Sequence, residues 1–335
     1  MKRYVGRSGI EVSAMGLGCW AIGGPWLFNG SPAGWSTIDD AESVRAIHRA
    51  IELGVNFFDT AANYGCGHSE RILGQAVKGR RNQMVIATKF GYHVNETTKE
   101  VTPYGEQEAD SPVADYLRGD VEASLKRLDT DYIDVYQLHI WGLAIERALE
   151  AREVLEALVM EGKIRTYGWS TDRTAAIRAF ATSRHCAVVQ QQLSVLDGNA
   201  ELLSLCEQIN LASINRGPLG MGLLTGKFAP DSRFSDDDVR HHANWHPGFK
   251  DGRPTQIWLD ALESIREVLT SNGRTLAQGA LAWIWARSGQ TIPIPGFKSV
   301  KQVEENCRAM ELGPLTPVQM NQIDRILGRS MPGPV

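Results

Sequence analysis

The sequence predicts an α/β chain folded as a (β/α)8 TIM barrel, and three observations carry that expectation. Short apolar or β-branched runs alternate with helix-period segments along 335 residues, the pattern of a parallel sheet with helical crossovers. Eight such units in a chain of this length favour a closed barrel over an open sheet. The first strand-to-helix turn, "GLGCWAIGG", lacks the G-x-G-x-x-G spacing of a doubly wound dinucleotide-binding sheet.

The opening residues, "KRYVGRSGIEVS", read as a small N-terminal hairpin with a Ser-Gly turn, placed to cap the barrel floor. The first strand, "MGLGCWAI", leads to a helix near Asp39–Leu53, where Val44, Ile47 and Ile51 share one face. "VNFFDT" precedes a helix near Ser69–Val77. "MVIATKF" precedes the helix Val113–Leu128, after a loop from about Gly91 to Ser111. "YIDVYQLH" leads to Ala144–Met160, "IRTYGWS" to Arg173–Ser183, and "AVVQQQ" to Ala200–Gln208. "LASIN" reaches the helix Thr255–Thr270 through a loop from about Arg216 to Pro254. Both loops exceed ordinary connections. A helix at Thr275–Arg287 reads as an addition outside the barrel repeat, and "TIPIPG" with Val300–Met310 completes the eighth unit. Thr316–Leu327 reads as a last surface helix. No repeat, linker or low-complexity tract divides the chain, so residues 1–335 are expected to form one domain.

A formal net charge of −4 without a basic block or acidic tail gives no footing for nucleic acid. The start "MKRYVGRSGIEVSAMG" lacks the apolar core of a signal peptide. No apolar run of about 18 residues suggests a membrane helix. Cys19, Cys66, Cys186, Cys206 and Cys307 are dispersed with no C-x-x-C pair. They are expected to be reduced, buried thiols of a cytoplasmic protein. His241, His242 and His246 lie in a polar loop without a matching ligand set, so no metal is expected.

Chemistry in such a barrel gathers where strands end. Those ends carry Asp59, Lys89, His139, Ser170 and Gln190 on strands two to six. Each alone has a plain explanation, such as an N-cap for Ser170; in succession they point to one rim. Lys89 follows the buried run "MVIAT" and needs a partner or a depressed pKa. Asp59, on the neighbouring strand, is the natural partner. Tyr64 lies in the loop after Asp59, within reach of folding back over the pair. An unperturbed phenol has a pKa of about 10, too high for ready proton exchange near neutrality. An adjacent ammonium is expected to lower it, with His139 placed to hydrogen-bond the same substrate oxygen. These groups move protons at a carbonyl or alcohol oxygen and accept no electrons, so a hydride-carrying cofactor is the expected complement.

"RGPLGMGLLTGKF", residues 216–228, offers glycine-spaced amides and Lys227 to phosphates. "IPGFKSVKQVEEN" puts Lys298 before a helix whose positive end suits another phosphate. Gln302, Glu305 and Asn306 recur on one face of that helix, suited to an adenine edge. Trp26, Trp141 and Trp245 lie near loops over the rim and are candidates for a substrate pocket.

The segments "GVNFFDTAANYG", "VIATKFG", "YIDVYQLHIWG", "GPLGMGLLTGKF" and "IPGFKSVKQVEEN" resemble, in order, signature segments of the aldo-keto reductase superfamily. The resemblance runs through essentially the whole chain. "GCGHSERILG" and "INRGPLGMGLLTGKF" are similar to its bacterial long-loop branches, which handle sugars, polyols and aldehydes. The resemblance implies an oxidoreductase that interconverts an aldehyde, ketone or aldose with its alcohol, using NADPH/NADP+ in preference to NADH. It implies a catalytic tetrad of Asp59, Tyr64, Lys89 and His139. Tyr64 would be the proton donor in reduction, Lys89 would lower its pKa, Asp59 would balance Lys89, and His139 would position the carbonyl.

It further implies cofactor contacts at Cys19 and Trp20 near the nicotinamide ribose, at Ser170 and Gln190 for the carboxamide, and at Asp59. Gly217, Pro218, Leu219, Gly220 and Lys227 would meet the pyrophosphate. Lys298 would meet the 2′-phosphate, Gln302, Glu305 and Asn306 the adenine, and Gly296 is a further cofactor-binding position. Three positions depart from the family pattern. Thr171 replaces a frequent Asn, Leu193 a frequent Tyr, and Arg216 the aromatic ring that stacks on nicotinamide. A guanidinium stacks too, but its charge is expected to favour the reduced, uncharged ring. The same resemblance allows a regulatory, cofactor-binding interaction protein like potassium-channel β subunits. A Schiff-base aldolase built on Lys89 is a third reading, one that leaves Tyr64 and the phosphate-binding segments idle.

Overall fold

The structure, a computed structural model, describes residues 1–329. Eight strands run β1 (Leu17–Gly18), β2 (Phe57–Asp59), β3 (Val85–Phe90), β4 (Ile133–Leu138), β5 (Ile164–Ser170), β6 (Cys186–Ser194), β7 (Ala212–Arg216) and β8 (Thr291–Pro293). They pair in parallel and in sequence order from β1 to β8. A parallel bridge from Gly18 to Gly296 joins the first strand to the chain just past the last, so the ring closes.

Among the described residues ten α-helices follow in order: α1 (Asp40–Glu52), α2 (His68–Ala76), α3 (Val113–Leu128), α4 (Ile145–Met160), α5 (Thr174–Phe180), α6 (Ala200–Ile209), α7 (Gln256–Leu269), α8 (Leu276–Arg287), α9 (Val300–Leu312) and α10 (Pro317–Ile326). The outer ring runs α1 through α6, then α8 and α9, which packs back on α1. This reverses one expectation. The helix at 275–287 is the barrel helix, and the one at 255–270 is the addition, lying outside with α10. The physical reason is in "LAQGALAWIWAR": Leu276 through Trp285 are all buried, and a helix without a polar face belongs inside.

Side chains of a strand alternate between the barrel interior and the helices. Along β3, Val85 and Ala87 face inward, while Ile86 and Phe90 join the core beneath the helices. The lower interior is filled by Phe57, Val85, Val135, Val188, Ile214 and Ile292. The N-terminal hairpin, Lys2–Tyr4 against Glu11–Ser13, closes the floor by adding Val5, Ile10 and Val12 to that cluster. The fit there is close: a Cβ at Gly6, where φ is 46°, would lie 2.3 Å from the Ala187 carbonyl oxygen.

Neither long loop is structureless. Tyr92–Asn95 and Glu100–Pro103 form a hairpin joined edge to edge with Leu27–Phe28 and Ser31–Pro32, making a four-stranded sheet beside the rim. The segment after β7 holds 3-10 turns at Gly220–Thr225 and Val239–His241 and a short ribbon, Phe249–Lys250 with Arg253–Pro254. The Val239 amide donates to Gly34 O at 2.9 Å, tying this segment to the loop after β1.

Candidate active site

At the carboxyl ends of the strands the apolar interior gives way to a polar layer. The inward parity that buries Phe57, Ala87, Val135 and Val188 next presents Asp59, Lys89, Gln137 and Gln190. The Lys89 ammonium has three hydrogens, and each has an acceptor: Asp59 Oδ1 at 2.6 Å, Thr60 O at 2.8 Å and the Tyr64 hydroxyl oxygen at 3.2 Å. Asp59 Oδ2 accepts from Gln137 Nε2 at 3.0 Å and from Gln190 Nε2 at 2.8 Å. Lys89 and Asp59 are fully buried, so the ion pair and its amide donors replace the water both groups lose.

Because the Tyr64 oxygen accepts from Lys89, its own hydrogen is directed elsewhere. The ring is partly exposed to the cleft, stacks on Trp20 at 6.1 Å between centroids, and meets His139 edge-on at 5.9 Å. Burial pushes the Tyr64 phenol above its ordinary pKa, with Lys89 pulling the other way. This corrects the expectation of a lowered value: Lys89 restrains the rise without reversing it. For Lys89 burial opposes the charge, but Asp59 and Tyr64 outweigh it and the ammonium is held above its ordinary value. His139 is held well below its ordinary value, first by burial and then by the charges of Lys89 and Arg216. Near neutrality the site therefore contains an un-ionised phenol, a fixed ammonium and a neutral imidazole.

These groups open into a cleft of about 1370 Å3. Its wall includes Asp59, Tyr64, His139, Trp20, Gln190, Arg216, Gly217, Pro218, Leu219 and Lys227. It continues over Gly296, Lys298, Gln302, Glu305 and Asn306, with Trp26, Trp141 and Trp245 at other points of the wall. Lys89 lies behind Tyr64. Cys19, Ser170 and Gly220 do not reach the cleft surface. Cys19 belongs to the core beneath the helices, and its thiol faces Leu17 O at 3.8 Å. Ser170 and Gly220 are buried. Thr171, also buried, donates to Trp141 O at 3.0 Å, and Leu193 lies in the core.

Two electrostatic expectations change. The amino end of α9 already meets a carboxylate, since Val300 N donates to Glu42 Oε1 at 2.8 Å. That bond is the main reason Glu42 sits below the usual carboxylate range. Lys298, rather than the helix end, is the open positive group there. Arg216 is not a bare charge either: its guanidinium is paired with Asp172 and donates to Gln192 Oε1 at 3.3 Å. The basis for favouring a reduced, uncharged ring is thereby weakened.

Sequence reading missed Gln137, Asp172, Gln192, Trp35 and Arg240. Gln137 carried a signal, the inward parity of β4. Arg240 carried none, being brought over the Trp35 ring at 4.8 Å by the segment after β7 and bound there through Nε and Nη2 to Asp238 at 2.8 and 2.6 Å.

The family model described as "Aldo/keto reductase family" matches residues 14–327. Aldo-keto reductase YhdN of Bacillus subtilis is 32% identical over 304 residues, covering 89% of this chain and 85% of its own. The NADH-specific methylglyoxal reductase of Escherichia coli is 31% identical over 333 residues, 98% of this chain and 97% of that protein. Among solved structures, the glycerol dehydrogenase of Gluconobacter oxydans superposes with a TM-score of 0.81 at 29% identity, covering 100% of this chain and 97% of that one. An aldo-keto reductase from Klebsiella pneumoniae in complex with NADPH gives 0.71 at 26% identity, with coverage of 99% and 97%.

Proposed function

The chain belongs to the aldo/keto reductase family, and we propose that it reduces an aldehyde, ketone or aldose with NADPH, taking the proton from Tyr64. It is an NAD(P)H-dependent oxidoreductase of carbonyl and alcohol groups. The residues present fit the nucleotide. Gly217 and Gly222 lie on the cleft wall with φ of 63° and 97°, conformations that let the backbone come close to a ligand. On the cleft wall, Asn63 Oδ1, Gln192 Nε2 and Trp35 Nε1 are buried polar atoms without a partner, and a bound polar ligand would satisfy such groups.

When bound, the nicotinamide supplies the hydride. The chain's own residues handle the proton. Tyr64 donates its hydrogen to the substrate oxygen, and Lys89 stabilises the phenolate left behind through the bond it already makes. Asp59, with Gln137 and Gln190, keeps the ammonium aimed at Tyr64. His139 stays neutral and meets the same oxygen with a ring nitrogen. The observation that supports this reading is the engagement of all three Lys89 donors, one of them on the Tyr64 oxygen, which leaves the Tyr64 proton for a group on another side.

Nucleotide preference follows from charge. Lys227, Arg240 and Lys298 act on one another, and burial lowers both lysines. Asp238 is the carboxylate bound among them, so this end of the cleft carries excess positive charge and favours a nucleotide with an additional phosphate. The test is cofactor consumption by purified protein against aromatic aldehydes, ketones and aldoses, with NADPH and NADH in parallel. Turnover with an aldehyde and a lower KM for NADPH than for NADH is expected. No turnover of any carbonyl with either nucleotide would defeat the reading.

A further inference from the structure

The groups around Tyr64 also bear on which carbonyl compounds enter, an inference that rests on Tyr64 as the proton donor. Asp172, two residues beyond β5, is held by three donors. Oδ2 accepts from the Arg216 guanidinium and from Trp141 Nε1 at 3.0 Å, and Oδ1 accepts from the Gln192 amide at 2.7 Å. Gln192 Oε1 accepts from Arg216 at 3.3 Å. Gly217 permits this arrangement, because a Cβ there would lie 2.6 Å from the side-chain nitrogen Nε2 of Gln192. Arg216 is thus fastened across the ends of β5, β6 and β7.

Charges around Tyr64 cancel by pairs. Lys89 is bound to Asp59 and Arg216 to Asp172. Asp197 also lies on the wall and adds a carboxyl in place of a cation. The wall there also carries the aromatic side chains Trp20, Trp26, Phe28, Tyr92 and Trp141, and the Glu108 carboxylate, which accepts from the Tyr92 hydroxyl. A substrate carboxylate would lose water in this chamber, find no unpaired cation, and face Asp172 and Asp197. An uncharged carbonyl compound meets none of these penalties.

We propose that Asp172 is a specificity-determining residue: by holding and neutralising Arg216 it makes the chamber select uncharged carbonyl compounds over carboxylate-bearing ones. Substituting it would expose the Arg216 charge and admit the excluded class. Asp172 acts through Arg216 and is a positioning residue.

The test compares methyl 4-formylbenzoate with 4-formylbenzoate, which share a ring and an aldehyde and differ in charge. Wild type is expected to favour the ester by about tenfold or more in kcat/KM. In Asp172→Asn that ratio is expected to fall about tenfold, mainly through the KM of the acid, and the gain should shrink at high salt. The double substitution Asp172→Asn with Arg216→Gln should return the preference to the ester. A merely structural role for Asp172 would depress both substrates together and leave the ratio in place.

A second readout requires no turnover: quenching of tryptophan fluorescence by benzoate and by benzamide. Asp172→Asn is expected to tighten benzoate relative to benzamide by a similar factor. A wild type that handles acid and ester equally, or a benzoate-to-benzamide ratio unmoved by Asp172→Asn, would overturn the proposal. Absence of turnover with both aldehydes would instead defeat the reductase reading, and the binding ratio would still decide the role of Asp172.

Discussion

A buried ammonium must place each of its hydrogens, and Lys89 places one on the Tyr64 oxygen. That choice keeps the phenol proton off the lysine side of the oxygen, and it follows from Asp59 and Thr60 O taking the other two. The pairing of Lys89 with Asp59 was legible in the sequence, because adjacent strands end in opposite charges. The net rise of the Tyr64 pKa was not, because it depends on how much water the ring loses. A pH prediction also belongs at this scale. His246, packed among Trp245, Phe249 and Trp258, is lowered by burial to about 4. Its unfolded value is about 6.5, so between the two values the unfolded chain binds more protons, and stability falls as pH falls. From pH 7 to pH 5 this group should remove about 2 kcal/mol. Urea unfolding at the two pH values measures the loss, which His246→Phe should reduce. His139, also lowered, adds a loss of the same sign that this substitution leaves in place. An equal loss in wild type and variant would exclude His246 as a source.

Among the elements, the strands were the most legible, since each ends a run of β-branched or apolar residues with a polar group. Helix bounds followed within a few residues, with α5 shorter than expected at Thr174–Phe180. The exchange of roles between α7 and α8 shows where pattern reading stops. Amphipathic α7 looks like a barrel helix, while the uniformly apolar α8 offers no face to orient. The rim sheet was invisible because its strands come from two loops and are two to four residues long. α8 begins with a capping box, in which Thr275 accepts from Gln278 N and Gln278 accepts from Thr275 N. Thr275→Ala should therefore cost about 1 kcal/mol of stability, read as a shifted chemical-denaturation midpoint with an unchanged slope. No shift would mean that burial of α8 alone fixes its start.

For the molecule as a whole, a floor closed by the N-terminal hairpin and a rim crowned by loops leave one end of the barrel for chemistry. Sequence reading named the tetrad candidates and part of the cleft wall, chiefly residues on or next to strands, where parity is set by the fold. It missed Asp172 and Arg240 because their positions depend on contacts between different loops, and it missed Gln192 although that residue shares the inward parity of Gln190 on β6. Asp172 meets Trp141 and Arg216, and Arg240 meets Trp35. The central claim is that the hydroxyl of residue 64 delivers the proton. Its most direct test is single-turnover reduction of an aromatic aldehyde by NADPH-loaded protein, wild type against Tyr64→Phe, with NADPH binding followed by fluorescence. The account predicts that the variant still binds NADPH and transfers hydride about 10²–10⁴-fold more slowly. A variant that binds NADPH and reduces the aldehyde at the wild-type rate would contradict it.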